Sequence, residues 1–144
     1  MRAFVEMTAG TGYKIEQAKG TSAYIIDRCL PVKVPHNYGY IFGTYAQDGD
    51  ALDVFLYGWE SLPTGVSTEI DVIGIIYGLD QNVSDDKILA YVKGDVQQDY
   101  DTYVQECVNY LKTYKEGYEV VGIGDAIEAD AVIRMTRAAY EADV

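Results

Sequence analysis

The chain has little of the material that common nucleophilic and zinc centres use. Its 144 residues include one histidine, His36, and two cysteines, Cys29 and Cys107, which lie far apart and outside any CxxC or Cys/His ligand spacing. A Ser-His or Cys-His mechanism and a cysteine-rich metal site therefore have little support. We interpret His36 as a loop residue and both cysteines as free thiols. The chain contains neither a Walker A nor a G-x-G-x-x-G sequence, so nucleotide binding through a glycine-rich loop has no support.

Long apolar runs and positive charge are also scarce. No run approaches the roughly 20 residues that a membrane helix needs, and the N-terminus reaches Glu6 before any apolar region typical of a signal peptide. Lys and Arg number 11 against 23 Asp and Glu, which gives a net charge of -12 and works against nucleic-acid binding. We expect a soluble, cytoplasmic protein with no nucleic-acid or membrane partner, folded as a single domain over residues 1–144.

Strands are predicted mainly in the first part of the chain. Short β-branched and aromatic runs, separated by Gly, Pro, Asn and Asp, predict strands at 3–7, 12–16, 22–27, 51–57, 68–77, 86–92 and 118–123. The turn formers within 35–40 predict an ordered loop beside the sheet instead of a strand. With two helices in the second half, these strands predict a mainly β, α+β fold in which helices pack outside a compact barrel.

Two helices are predicted from the spacing of apolar residues. The first has an apolar face three or four positions apart, made of Tyr100, Tyr103, Val104, Cys107, Val108, Leu111 and Tyr114. Asp99 or Asp101 can cap its start, and Gly117 fits its end. Asp125, followed three residues later by Glu128, is typical of a capping box at the start of the second helix. For that helix we predict the apolar stripe Ile127, Ala131, Met135 and Ala138.

The most distinctive stretch is Asp48-Gly49-Asp50-Ala51-Leu52-Asp53, where three carboxylates within six residues lead into an apolar run. Like charges this close raise one another's pKa, and burying one of them unpaired is costly. A bound divalent cation would relieve this repulsion. An Asp-Gly turn leading into a strand explains the same residues equally well. An EF-hand is excluded, because Asp53 stands where that loop needs Gly and Trp59 where it needs Glu.

Other charged residues concentrate near the ends of predicted strands. The further carboxylates are Glu6, Glu16, Asp80, Asp85 and Asp86. Oxygen ligands of this kind suit Mg²⁺ or Mn²⁺, and several such ions could activate water while neutralising a phosphate. The cations that could bind phosphoryl oxygens are Lys14, Arg28, Lys87 and Lys115. From the residues alone, all of these charges could equally belong to a solvated surface.

Ordered blocks of the sequence resemble the family I soluble inorganic pyrophosphatases. The family's signature region is matched by Asn37-Tyr38-Gly39-Tyr40-Ile41, Thr44 and the stretch from Asp48 to Val54. The blocks before it are Val5-Glu6, Tyr13-Lys14-Ile15-Glu16 and Asp27-Arg28. The blocks after it are Gly74-Ile75-Ile76, Asp80, the stretch from Asp85 to Ala90, and Tyr114-Lys115. Because the blocks follow the family's order over most of the chain, the resemblance is specific.

The resemblance implies a reaction and a fold. The reaction is hydrolysis of pyrophosphate to two phosphates by metal-activated water. The fold is an OB-like closed barrel of five strands, with flanking strands and two helices in the C-terminal half. Several Mg²⁺ ions per site are implied, with Mn²⁺ as an alternative. A homo-oligomer is also implied, and for bacterial members a hexamer.

The resemblance also assigns roles to individual residues. The matching metal ligands are Asp48, Asp53, Asp80 and Asp85, with Asp53 shared between two ions. Glu6 and Glu16 match residues that support the outer metal shell, and Asp50 matches the residue that orients or deprotonates the attacking water. The residues that match the substrate-binding set are Lys14, Arg28, Tyr38, Lys87, Tyr114 and Lys115.

This chain departs from the family pattern at two positions near the predicted site. Gln81 stands where the family usually has Glu, which predicts weaker metal affinity beside Asp80, and Ala51 replaces the usual Pro. These departures leave open a catalytically impaired relative that binds divalent metal or a phosphorylated ligand without turnover. A third interpretation makes the tyrosine-rich first helix an assembly surface beside a vestigial site.

Overall fold

A computed structural model describes residues 1–17, 24–29, 32–58, 61–95, 99–114 and 116–143, with the backbone alone at 16, 17, 24, 25, 27–29 and 114. The strands in this part of the chain are β1 (Arg2–Met7), β2 (Tyr13–Gln17), β3 (Tyr24–Cys29), β4 (Asn37–Ile41), β5 (Asp53–Tyr57), β6 (Ser67–Asp80), β7 (Val83–Ser84), β8 (Lys87–Val92) and β9 (Tyr118–Asp125). The helices are α1 (Tyr100–Tyr114) and α2 (Ala126–Ala142). None of the helices within the described residues has the length and apolarity needed to cross a membrane.

Five strands pair in a closed ring. β4 pairs antiparallel with both β1 and β5, β5 pairs parallel with β8, and β8 pairs antiparallel with β6. β6 is 14 residues long, so its beginning can also pair with β1, and this pairing closes the ring. β7 and β9 pair with the far half of β6, while β2 and β3 form a separate hairpin. The predicted mainly β fold with two helices is confirmed, and the ring is consistent with an OB-like barrel.

α1 covers one cluster of buried side chains, and the prediction of its apolar face is largely confirmed. Tyr103, Cys107 and Leu111 are buried and belong to the same cluster as Phe55 of β5. The Tyr103 hydroxyl donates a hydrogen bond to the Phe55 carbonyl oxygen at 2.8 Å, so this tyrosine packs its ring in the core and still satisfies its polar end. The carboxylate of Asp99 accepts from the backbone N–H groups at the start of α1, as the sequence predicted.

α2 begins as predicted but buries a different face. The Asp125 carboxylate accepts from the Glu128 N–H at 2.9 Å, and the Glu128 carboxylate accepts from the Asp125 N–H at 2.8 Å, which completes the capping box. The predicted stripe is wrong, because all four of its residues are exposed: Ile127, Ala131, Met135 and Ala138. The buried residues are Ala129, Ile133 and Thr136. Ala129 and Ile133 belong to the same buried cluster as Ile75 of β6, so this face packs against that strand.

Residues 37–41 form β4, so the predicted loop over 35–40 is also wrong there. The turn-forming residues in this strand serve tertiary contacts. The Asn37 side-chain oxygen accepts from the backbone N–H groups of Ala9 and Leu62, each at 3.0 Å. A Cβ at position 39 would collide with the Phe4 carbonyl oxygen of β1, so Gly39 allows the two strands to approach.

This close approach predicts that Gly39→Ala is severely destabilising. The added methyl group meets backbone rather than a side chain that could rotate away, so β1 and β4 must separate. We expect a loss of more than about 4 kcal/mol in the free energy of unfolding, or failure to fold. Gly122→Ala is the matched control, because a Cβ there meets nothing within 4 Å, and it should change stability by less than about 1 kcal/mol. Urea unfolding followed by circular dichroism would measure both, and equal midpoints would contradict the prediction.

Candidate active site

Three of the predicted metal ligands, Asp53, Asp80 and Asp85, stand at strand ends or in the link beside them, at one edge of the ring. Asp53 is the first residue of β5, Lys87 is the first residue of β8, and the two are partners in the parallel register. Asp80 is the last residue of β6, which ends there because the next two residues adopt positive φ angles and turn the chain into β7. Asp85 lies in the short link between β7 and β8.

Lys87 is a fully buried cation at this edge. Its Nζ lies 2.6 Å from Asp53 Oδ2 and 3.1 Å from Asp85 Oδ1, and it donates to the Tyr38 hydroxyl at 2.9 Å. These three oxygens match the three N–H donors of an ammonium group. Burial by itself lowers the pKa of Lys87, but the attraction of Asp53, Tyr38 and Asp85 outweighs it and holds the pKa well above its ordinary value. The side chain is therefore charged.

A tight loop brings Asp48 and Asp50 to the same region. The Thr44 hydroxyl accepts from the Leu52 N–H at 2.9 Å, which ties the start of the loop to its end. Gly49 has a φ angle of 87°, a conformation that favours glycine, and it turns the chain between the two acidic residues. The Asp48 carboxylate accepts from the Asp50 N–H at 3.0 Å. The Asp-Gly turn and the acidic cluster thus occur together.

The Asp48 carboxylate interacts electrostatically with three others, those of Asp50, Asp53 and Asp85. Partial desolvation is the main cause that raises the pKa of Asp48, and the charges of Asp85, Asp53 and Asp50 raise it further. The hydrogen bond from the Asp50 N–H opposes the increase but does not cancel it. These carboxylates outnumber the single ammonium group of Lys87 beside them.

The link that carries Asp85 is fastened to β6. The Asp85 N–H donates to the Gly78 carbonyl oxygen at 2.9 Å, and the Asp86 carboxylate accepts from the Gly78 N–H at 3.1 Å. Burial raises the pKa of Asp86, and the nearby charge of Asp85 adds to the increase. Asp86 therefore supports the backbone of the site. The sequence did not indicate this role, because Asp86 stands in an acidic run and its partner Gly78 lies on β6.

The remaining predicted residues are described to different extents. Lys14 Nζ lies 3.8 Å from Glu6 Oε2, and this pair connects β2 to β1. Lys14 and Arg28 are cross-strand partners in the register of β2 and β3. The side chains of Glu16, Arg28 and Tyr114, and the whole of Lys115, lie outside the described residues. Their predicted roles stay predictions.

The chemistry of the donor set fits Mg²⁺. The acidic side chains at this edge offer hard oxygen ligands, and their mutual repulsion favours added cations. Among the described residues, no three His, Cys, Asp or Glu side chains already stand close enough together to hold a metal ion. The Lys87 ammonium instead lies between Asp53 and Asp85, two of the predicted ligands. The ligand assignments therefore stay predictions.

Comparisons with known proteins agree with the sequence motifs. The family model described as inorganic pyrophosphatase matches residues 3–141. An inorganic pyrophosphatase of Neisseria meningitidis serogroup A is 35% identical over an alignment of 145 positions, and this alignment covers 90% of this chain and 82% of the relative. The crystal structure of an inorganic pyrophosphatase from Thermus thermophilus gives a TM-score of 0.89 at 29% identity and covers 98% of this chain and 91% of that one. The corresponding structure from Neisseria gonorrhoeae gives 0.87 at 29% identity, with the same coverage of 98% and 91%. The chain described here belongs to the inorganic pyrophosphatase family.

Proposed function

We propose that this protein hydrolyses inorganic pyrophosphate to two phosphates and that the acidic edge around Lys87 is its active site. The observation that carries the proposal is the arrangement of Lys87 between Asp53 and Asp85, within a chain that matches the family over residues 3–141. The strand register fixes Asp53 beside Lys87, so the site is built on the rigid part of the fold.

The substrate sets an electrostatic requirement. Pyrophosphate is a multiply charged anion near neutral pH, so both its binding and the attack by water are opposed in an acidic site. We propose that Asp48, Asp53, Asp80 and Asp85 hold Mg²⁺ ions. When bound, Mg²⁺ neutralises phosphoryl oxygens and lowers the pKa of water. Glu6 and Glu16 would support the outer shell of ligands.

Asp50 is the proposed base or orienting group for the attacking water. Its backbone N–H is occupied by Asp48, while its side chain is exposed at the surface of the loop. An exposed carboxylate beside the metal ligands can accept a proton and return it to solvent. The hydrogen bonds of the loop hold its backbone in place. Asp48 and Asp50, with one glycine between them, would therefore have different roles: Asp48 would bind metal, and Asp50 would act on the attacking water.

The cationic residues would divide the binding of the phosphates. All three donors of Lys87 already have partners, so it would act on the substrate through its charge while it holds Asp53 and Asp85 in place. Lys14 and Arg28, opposite each other in their hairpin, would bind phosphoryl oxygens together. The other proposed contacts with substrate are those of Tyr38, Tyr114 and Lys115.

We further propose one catalytic domain over residues 1–144, a cytoplasmic location and a homo-oligomer, with the hexamer as the expected form. The family match over most of the chain supports the single domain. Exposed apolar side chains on β9 and α2 are suited to a contact between subunits. Val121 is 61% exposed and Ile127 is 81% exposed.

The proposed function is tested by phosphate release from pyrophosphate in the presence of Mg²⁺. The wild-type protein should release phosphate rapidly, EDTA should abolish the release, and Asp50→Asn should lower kcat by at least about 100-fold. The amide keeps the size of the carboxylate but cannot accept the proton. If the folded, Mg²⁺-loaded protein binds pyrophosphate in calorimetry but releases no phosphate, the result would support the alternative of a catalytically impaired relative that binds its ligand without turnover.

Asp53→Asn should be far more damaging than Asp86→Asn. The first change removes a proposed metal ligand and a charge 2.6 Å from Lys87. The second change keeps a side-chain amide oxygen that can still accept the hydrogen bond from the Gly78 N–H. We expect Asp53→Asn to lower kcat/KM by at least about 100-fold and Asp86→Asn by less than about tenfold. Steady-state kinetics on folded variants measures both. Similar activities would refute the assignment of Asp53.

Gln81→Glu should lower the concentration of Mg²⁺ required for activity. Gln81 follows Asp80 in the turn between β6 and β7, and its side chain is exposed, so the substitution adds a negative charge without disturbing the core. We expect the half-saturating Mg²⁺ concentration to fall by about two- to fivefold. Gln105→Glu adds the same charge on the exposed face of α1 and serves as the control. An unchanged or higher requirement in Gln81→Glu would contradict the prediction.

A further inference from the structure

We infer that Tyr118, on β9, is a positioning residue that holds the Asp85 carboxylate and the Lys87 ammonium in the geometry needed for Mg²⁺ binding and catalysis. The inference rests on the proposed function, since it assigns Tyr118 to the same site. Tyr118 follows Gly117 at the start of β9 and belongs to none of the blocks that resemble the family motifs.

One side chain contacts two parts of the site. The Tyr118 hydroxyl donates to the backbone carbonyl oxygen of Asp85 at 2.7 Å. Its ring centroid lies 5.9 Å from Lys87 Nζ, within the range at which an aromatic ring attracts a cation. Tyr118 is only 8% exposed, so both contacts are made away from bulk water. The hydroxyl therefore acts on the backbone of Asp85, and the ring acts on the charge of Lys87.

Gly78 of β6 makes room for this arrangement. A Cβ at position 78 would collide with both the hydroxyl and the ring of Tyr118, so a side chain at this position would displace the tyrosine. The same glycine accepts from the Asp85 N–H and donates to the Asp86 carboxylate. A residue with no side chain is therefore required where β6, β9 and the link before β8 meet.

Together these contacts fix the peptide groups on both sides of Asp85. Gly78 binds its N–H and Tyr118 binds its carbonyl oxygen, at 2.9 Å and 2.7 Å. The direction of the Asp85 side chain depends on this backbone, and its carboxylate lies 3.1 Å from Lys87 Nζ. If the carbonyl is released, the peptide group can rotate and the carboxylate loses its fixed direction. Such small displacements of a positioned ligand lower catalytic rates strongly.

Two substitutions separate the hydroxyl from the ring. Tyr118→Phe removes the hydrogen bond to Asp85 but keeps the ring beside Lys87, whereas Tyr118→Leu removes both contacts. We expect Tyr118→Phe to lower kcat by about tenfold and to raise the half-saturating Mg²⁺ concentration by at least about threefold, with KM for Mg-pyrophosphate changed less than about twofold. Tyr118→Leu should have a larger effect on each of the first two. Tyr140→Phe, on the exposed side of α2, is the matched control and should change none of them.

Two further readouts do not depend on turnover. Calorimetric titration of the substrate-free protein with Mg²⁺ should give a dissociation constant raised by at least about threefold in Tyr118→Phe. The ¹H–¹⁵N signal of the Lys87 ammonium should shift in Tyr118→Phe and shift more in Tyr118→Leu, while Tyr140→Phe should leave it in place. Gly78→Ala should reproduce the weaker Mg²⁺ binding, because its methyl group displaces Tyr118.

The outcomes separate this inference from the proposed function. If Tyr118→Phe lowers the melting temperature but keeps the wild-type kcat, Mg²⁺ dissociation constant and Lys87 signal, Tyr118 is a packing residue and the inference is overturned. If the wild-type protein releases no phosphate, the proposed function fails, and the Mg²⁺ titration and the Lys87 signal still decide the role of Tyr118. Unchanged values in both would then reject it, and the expected changes would uphold it.

Discussion

The burial of the Lys87 ammonium is the constraint on which the site depends. A buried charge is costly unless it is paired and hydrogen-bonded, and Lys87 meets that requirement with oxygens from three separate places in the fold. Tyr38 comes from β4, Asp53 from β5, and Asp85 from the link before β8. The loss of either carboxylate would leave a buried charge partly uncompensated. The geometry of the site and the stability of the ring are therefore coupled through one side chain.

One lysine does not balance the acidic residues around it. The pKa of Asp48 is raised first by desolvation and then by the charges of Asp85, Asp53 and Asp50, so repulsion persists at this edge while Lys87 is fully paired. Bound cations would remove that repulsion and would also reverse the local sign of the charge that an anionic substrate meets. Such binding would resolve the apparent conflict between a net charge of -12 and a substrate such as pyrophosphate. The excess of carboxylates becomes useful once cations are present.

The sequence predicted features that depend on neighbours along the chain and missed those that depend on distant contacts. The capping box of α2, the buried face of α1 and the acidic loop are local patterns, and the structure has all three. β4 was missed because glycine is common in turns, and the reason for a glycine within this strand is the close approach of β1 to Gly39, which the sequence does not show. The buried face of α2 was predicted wrongly because apolar residues occur on two sides of the helix. Only the packing against β6 determines that Ala129 and Ile133 are buried. Tyr118 gave no signal, since its partner Asp85 lies 33 positions away in the sequence.

The departure at Ala51 matters less in the folded loop than the family pattern suggests. A proline at this position would restrict the backbone and so favour the folded loop, by an amount on the order of 0.4–1 kcal/mol where the conformation already suits it. Here hydrogen bonds on both sides of Ala51 restrict the same segment, because the Asp50 carbonyl oxygen accepts from the Ala46 N–H at 2.7 Å and the Leu52 N–H donates to the Thr44 hydroxyl at 2.9 Å. Both bonds lie inside the loop, so they form with the fold and need no ligand. The acidic loop can therefore keep Asp48 and Asp50 in place without the proline, and the conformational freedom that Ala51 adds falls mainly on the unfolded chain.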